Sequence, residues 1–146
     1  MNNLTEVFSQ VSAYNCALIA LAVLCLAILI QSFLAGGLGL GKSDEEPGRP
    51  LKGSHQDFTF RTLRTYANSV ENLPVFATTV FLAIIVNASP SWVNWLASIH
   101  VVLRLAFWAV YYSGVGAVAG GPRTITFVLG WLTNLILVIV VLVALF

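Results

Sequence analysis

Charge is scarce in this sequence. Only 9% of the 146 residues are charged, against about 25% in ordinary soluble domains. A soluble fold of this length needs more polar surface, so that class is excluded. The net charge of +1 excludes a nucleic-acid partner, because no basic patch is large enough to follow a phosphate backbone. Cysteine is nearly absent too. Cys16 and Cys25 are the only 2, and both lie in the first apolar run. On a helix they stand on the order of 13 Å apart along the axis, too far to bridge, and they read as small packing residues. Histidine is equally rare. His55 reads as a solvated loop residue and His100 as part of the outer half of the third span. Neither has a second ligand nearby, so no metal site is expected.

Other absences narrow the function. No Lys or Arg precedes the first apolar run and Glu6 is the only charge there, so a signal peptide is not expected and the run belongs to the mature chain. There is no glycine-rich loop to cradle a phosphate, and Ser69 has no histidine at a useful spacing for serine chemistry. No internal repeat suggests an inverted-repeat transporter.

What the sequence has is apolar length: 58% of it is hydrophobic. Four runs stand out, at about 13–34, 74–87, 92–112 and 122–146. A span needs roughly 20 apolar residues to cross about 30 Å of hydrocarbon. The second run reaches that length only if the polar stretch from Asp57 is helical and partly within the membrane. The prediction is an all-α membrane protein: one domain over 1–146, a four-transmembrane-helix bundle of up-down topology. Its helices are expected at about 7–35, 57–88, 91–113 and 122–146. Segment 36–53, with its glycines, prolines and Asp44, Glu45 and Glu46, reads as an exposed loop. Residues 88–91 read as a tight turn and 114–121 as a glycine-rich one. Pro122 suits the first turn of a helix.

The basic residues set the orientation. Lys42, Arg49, Lys52, Arg61 and Arg64 belong to the first loop or the start of the second span, and Arg123 to the connection on the same side. Both termini are therefore expected to be non-cytoplasmic, with Trp92 and Trp95 at the outer interface. Asn3, Leu4 and Thr5 form a glycosylation sequon on that outer side, relevant only in a eukaryote.

The chemistry concentrates at the second span. At about 100° per residue, Arg61, Arg64, Asn68 and Glu71 share one helix face. Each such charge costs about 2.5–3.5 kcal/mol in the centre of a bilayer, so the stripe must face the bundle, a partner subunit or a water-filled cavity. Arg61 can snorkel to the head groups; Glu71, short and deeper, cannot. Arg104 lies on the order of 14 Å inside the cytoplasmic end of the third span. It needs a partner, and Glu71, the only acidic residue within a span, is the expected one. Arg104, Phe107, Trp108 and Tyr111 follow helical spacing, with the Tyr111 hydroxyl level with the charged cluster. Arg123 stands on the first turn of the fourth span. Free N–H groups and the helix dipole favour anions there, and both the arginine and the helix start would lower a thiol pKa.

At these residues the sequence resembles the MAPEG family, membrane-associated proteins in eicosanoid and glutathione metabolism. The resemblance is carried by Arg61, Arg64, Asn68, Glu71, Asn72 and Pro74, in the pattern of that family's helix-two signature. It is closest to the bacterial and microsomal glutathione transferase-like members. Chain length, four spans and orientation agree with it, so it covers essentially the whole chain. The resemblance implies a homotrimer with glutathione as cosubstrate, bound between neighbouring subunits near the cytoplasmic side. It implies that Arg64, Asn68, Glu71, Arg104 and Tyr111 bind glutathione and that Arg123 is the catalytic residue that stabilises the thiolate.

There are departures. Gln31 and Ser32 stand where the family often has a basic residue. Phe107 and Phe127 replace His or Tyr of some members. Ala67 replaces a second basic residue found in prostaglandin E synthase, which disfavours that assignment.

The expected function is that of a membrane-bound glutathione transferase or peroxidase acting on lipophilic electrophiles or lipid hydroperoxides. The setting is an integral, multi-pass membrane protein surrounded by membrane lipid, with the bacterial inner membrane favoured over the endoplasmic reticulum. A non-catalytic lipid-binding scaffold of the same family is the alternative. A small multidrug transporter is a more distant one, because the first span lacks the carboxylate such transporters use.

Overall fold

The computed structural model describes residues 2–39, 53–116 and 120–146. It contains α1 (Asn2–Ser12), α2 (Asn15–Gly39), α3 (Phe58–Ile85), α4 (Pro90–Ser113) and α5 (Pro122–Leu145). Helices α2 to α5 are each long and apolar enough to cross a membrane. They are the four expected spans, and no strand occurs among the described residues. Large apolar side chains such as Phe33, Ile85 and Val143 face outward, the reverse of a soluble protein and the surface that lipid requires. The protein is an integral, multi-pass, all-helical membrane protein.

α2 packs on α3 and α4, α3 on α4 and α5, and α4 on α5. Arg61, early in α3, reaches the carbonyl of Tyr112, late in α4. Those two neighbours therefore run antiparallel.

The first span differs from expectation. It was expected as one helix over about 7–35, but the chain breaks at 13–14 into a short α1 and a long α2. A break frees backbone groups that need partners. Asn94 supplies two: its amide donates to the Ala13 carbonyl at 2.8 Å, and its Oδ1 accepts from Ala17 N–H at 3.0 Å. Tyr14, fully buried at the break, donates its hydroxyl to the Ala88 carbonyl. At its other end α2 continues through Gly36 and Gly37, two residues that by sequence belong to the exposed loop. Residues 40–52, with Lys42, Arg49 and Lys52, lie outside the described residues, as do 117–119.

α3 begins at Asp57, whose carboxylate accepts from Thr59 N–H at 3.0 Å, an N-cap. Its polar side chains satisfy themselves along the helix. Thr62, Thr65, Ser69, Asn72 and Thr79 each donate to the carbonyl four residues earlier. This keeps hydroxyls and amides from standing unpaired in hydrocarbon. The polar run from Asp57 is thus helical, and Pro74 sits inside a continuous helix.

The interior divides in two along the membrane normal. Tyr14, Phe76, Val80, Ala83, Val93, Ala97, Leu137 and Val141 form an apolar core at the end that holds the α3–α4 turn. Thr62, Thr65, Ser69, Arg104 and Arg123 are buried toward the opposite end. His100 marks the boundary: its ring stacks on Phe76 at 4.3 Å, and Nδ1 lies 2.9 Å from the Gly130 carbonyl.

Candidate functional site

The polar end is built around buried cations. Arg123, the second residue of α5, is only 5% exposed. Its guanidinium lies over the Tyr111 ring at 4.8 Å. Its Nη1 is 3.3 Å from Nδ1 of His55, and the Tyr111 hydroxyl is 3.1 Å from that same nitrogen. Tyr111, Arg123 and His55 therefore form one contact group from α4, α5 and the segment before α3.

Arg61 holds that segment in place. Its Nη1 donates to the carbonyls of His55 at 2.9 Å and Gln56 at 2.8 Å, and its Nη2 to that of Tyr112 at 3.3 Å. Three carbonyls and no carboxylate receive these bonds, so the role is structural: Arg61 staples the residues before α3 to the end of α4. Gly114 completes the joint. It ends α4 at φ +69, and a Cβ built there would stand 3.0 Å from Arg61 Cζ. Only glycine takes that backbone conformation freely and lets the guanidinium approach.

Beside this group lies a cavity of about 490 Å³ lined by His55, Gln56, Arg61, Ser113, Gly114, Gly116 and Arg123. A second pocket, of about 150 Å³, is lined by Phe107, Tyr111, Arg123, Thr124 and Phe127. Arg123 and its ring partner thus separate a polar space from an aromatic one. Three cations shape the electrostatics. The His55 pKa is lowered from the ordinary 6.5 by burial first and then by Arg123, Arg64 and Arg61. The ring is therefore neutral at physiological pH, in surroundings made to receive negative charge.

Deeper in the bundle, Arg104 is also 5% exposed. Its Nη2 donates to Asn68 Oδ1 at 2.7 Å, and its guanidinium lies 4.9 Å from the Phe107 ring centroid. The expected Glu71–Arg104 pair does not form. Glu71 is exposed, as is Arg64. Helix phase accounts for this: Glu71 is turned about 60° round the helix from Asn68, and of the two it is Asn68 that meets Arg104.

The structure thus brings Tyr111 to Arg123 and Asn68 to Arg104; it leaves Glu71 exposed, and Arg64, also exposed, within electrostatic reach of His55. Sequence reasoning missed His55, which is no solvated loop residue but half-buried against Phe60, Tyr111 and Arg123. One signal was available. His55 stands two residues before the Asp57 cap, and so at the same end of the bundle as the start of α5.

A comparison with curated proteins finds none that matches. The family model for MAPEG matches residues 13–143, nearly the whole length and every residue named in the site. With four spans and the polar end in place, the chain belongs to the MAPEG family.

Proposed function

We propose that this protein is a membrane-bound glutathione transferase that also reduces lipid hydroperoxides. Family membership supports a membrane function in glutathione or eicosanoid metabolism. The observation that carries the finer reading is the position of Arg123, which borders both the polar cavity and the aromatic pocket. A tripeptide with carboxylates and a thiol suits the first, and an apolar electrophile suits the second. Where they meet, a guanidinium, a tyrosine hydroxyl and a helix start favour the thiolate over the thiol.

The chemistry then follows. The thiolate sulfur attacks an electrophilic carbon, a carbon–sulfur bond forms, and the leaving group departs with its electron pair. With a hydroperoxide, sulfur attacks the terminal oxygen and the O–O bond breaks. The lipid leaves as an alcohol after gaining a proton, and a second glutathione converts the sulfenic acid to the disulfide and water. The protein supplies no nucleophile of its own; it orients glutathione and holds its charge.

Arg64 and Glu71 support the assembly half of the reading. Facing lipid, each would cost about 2.5–3.5 kcal/mol at the bilayer centre. Covered by a neighbouring copy in a homotrimer, they would add a cation and a carboxylate to the wall of a shared glutathione site. Asn68 then positions Arg104, and Arg104 offers its remaining donors to the ligand.

The test is direct. Purified protein in detergent is expected to conjugate glutathione to a chlorinated dinitrobenzene and to reduce a fatty-acid hydroperoxide. Retained binding of lipid, with neither activity and no glutathione binding by calorimetry, would overturn the proposal in favour of a lipid-binding scaffold.

A further inference from the structure

We propose that His55 receives the proton of the ligand's thiol as the thiolate settles between Arg123 and Tyr111. This rests on the reading above and assigns a role to a residue outside the family-like pattern of α3.

Donors and acceptors fix the tautomer of the ring. A guanidinium only donates. The contact between Arg123 Nη1 and His55 Nδ1 at 3.3 Å therefore needs a lone pair on Nδ1, which puts the ring proton on Nε2. The Tyr111 hydroxyl, 3.1 Å from the same nitrogen, then donates to it as well. So Nδ1 accepts from the two groups best placed to hold a sulfur anion. The base stands where negative charge is wanted.

A thiol entering this group would take over the two donors and free the Nδ1 lone pair. Nδ1 lies 3.3 Å from Arg123 Nη1 and 3.1 Å from the Tyr111 hydroxyl, so a sulfur seated on the His55 side of those two donors lies within reach of it, directly or through one water. This meets the geometric requirement for general-base transfer, roughly 2.6–3.2 Å or one water. The step balances. The S–H bond breaks, its electron pair stays on sulfur, the proton goes to Nδ1, and the products are a thiolate and an imidazolium side by side.

Charge favours the same order of events. Among the described residues, the groups within reach of His55 are Arg61 and Arg64 of α3, Tyr111 of α4 and Arg123 of α5, with Asp57 two residues along. Burial first, and then the three arginines, keep the ring neutral, ready to accept. An incoming anion offsets them, so the ring gains basicity as the thiolate forms. The segment is also held for the task. Arg61 binds the backbone carbonyl of His55, and the ring meets Phe60 edge-on at 5.0 Å. Once sulfur has become a neutral thioether, the imidazolium loses its counter-charge. It returns the proton to a carbanion left by addition to an unsaturated acceptor, or to water in the cavity.

The experiment counts protons. Protein in weakly buffered detergent is mixed rapidly with glutathione, and the ultraviolet absorbance of the thiolate and a pH indicator are followed together. The wild type is expected to release well under one proton per thiolate formed. His55→Asn keeps an acceptor for Arg123 and Tyr111 but cannot take a proton. It is expected to release one proton per thiolate and to form it about a hundredfold more slowly, the ordinary scale of general-base catalysis. One full proton released per thiolate in the wild type overturns the proposal without reference to any variant, and so does a variant that matches the wild type in rate and proton count. No thiolate signal in the wild type at saturating glutathione overturns the transferase reading itself.

Discussion

Asn68→Leu removes the oxygen to which Arg104 donates at 2.7 Å and leaves a cation, 5% exposed, inside a membrane bundle. A hydrogen bond to a charged group is worth about 1.5–3 kcal/mol. Stripping one partner from a buried charge costs more than the bond alone, because the charge stays desolvated. Arg104 keeps its contact with Phe107 at 4.9 Å, a cation–π interaction of at most about 2 kcal/mol, so the loss is partial. The expected destabilisation is about 2–3 kcal/mol. Arg104→Met removes the cation together with its desolvation cost, and the half-buried Asn68 amide that remains is neutral. That change is expected to cost under about 1 kcal/mol. The double variant should recover most of what Asn68→Leu loses, giving a coupling energy of about 2 kcal/mol. Reversible unfolding by sodium dodecyl sulfate in mixed micelles, read by circular dichroism, measures all four proteins. If Asn68→Leu is no less stable than Arg104→Met, the pairing argument is refuted.

Other outcomes follow from the same geometry. Gly114→Ala forces a left-handed residue, at about 1–2 kcal/mol, and pushes on Arg61. Its melting temperature should fall, and amide exchange should quicken over 53–57. Arg61→Met, which loses three bonds to carbonyls, should speed exchange in the same segment while leaving the apolar core protected. For His55 the sign runs one way. Its folded pKa lies below the ordinary 6.5, so between those values the unfolded chain binds more protons and stability rises with pH. Stability should therefore be complete above about pH 6.5 and fall as the pH drops through the folded value. His55→Asn should flatten that slope in melting curves taken from about pH 5 to 8.

The spans were legible because long apolar runs with scarce charge admit almost no other reading. The ends and breaks were not. The break between α1 and α2 is stabilised by Asn94, which bonds Ala13 and Ala17 across separations of 81 and 77 residues. Nothing local to residues 13–14 announces it. The site was legible in its residues more than in its partnerships. Opposite charge suggested Glu71 for Arg104, but helix phase gives the contact to Asn68. A half-buried polar acceptor wins over an exposed carboxylate. His55 was hidden for a related reason: its place is set by Arg61, which binds the histidine's backbone rather than its ring. A residue's own chemistry tells what it could do, while the staple that holds it depends on tertiary contacts.

The central claim is that Arg123 holds a glutathione thiolate at the start of α5. The measurement that tests it is thiolate absorbance at equilibrium, titrated with glutathione against pH, for the wild type and Arg123→Leu. In the wild type the bound thiol is expected to ionise well below its free pKa. In Arg123→Leu the pKa should rise by about 1–2 units, the equivalent of one lost charge-assisted hydrogen bond, with glutathione still binding. The same low thiol pKa in both proteins would contradict the claim.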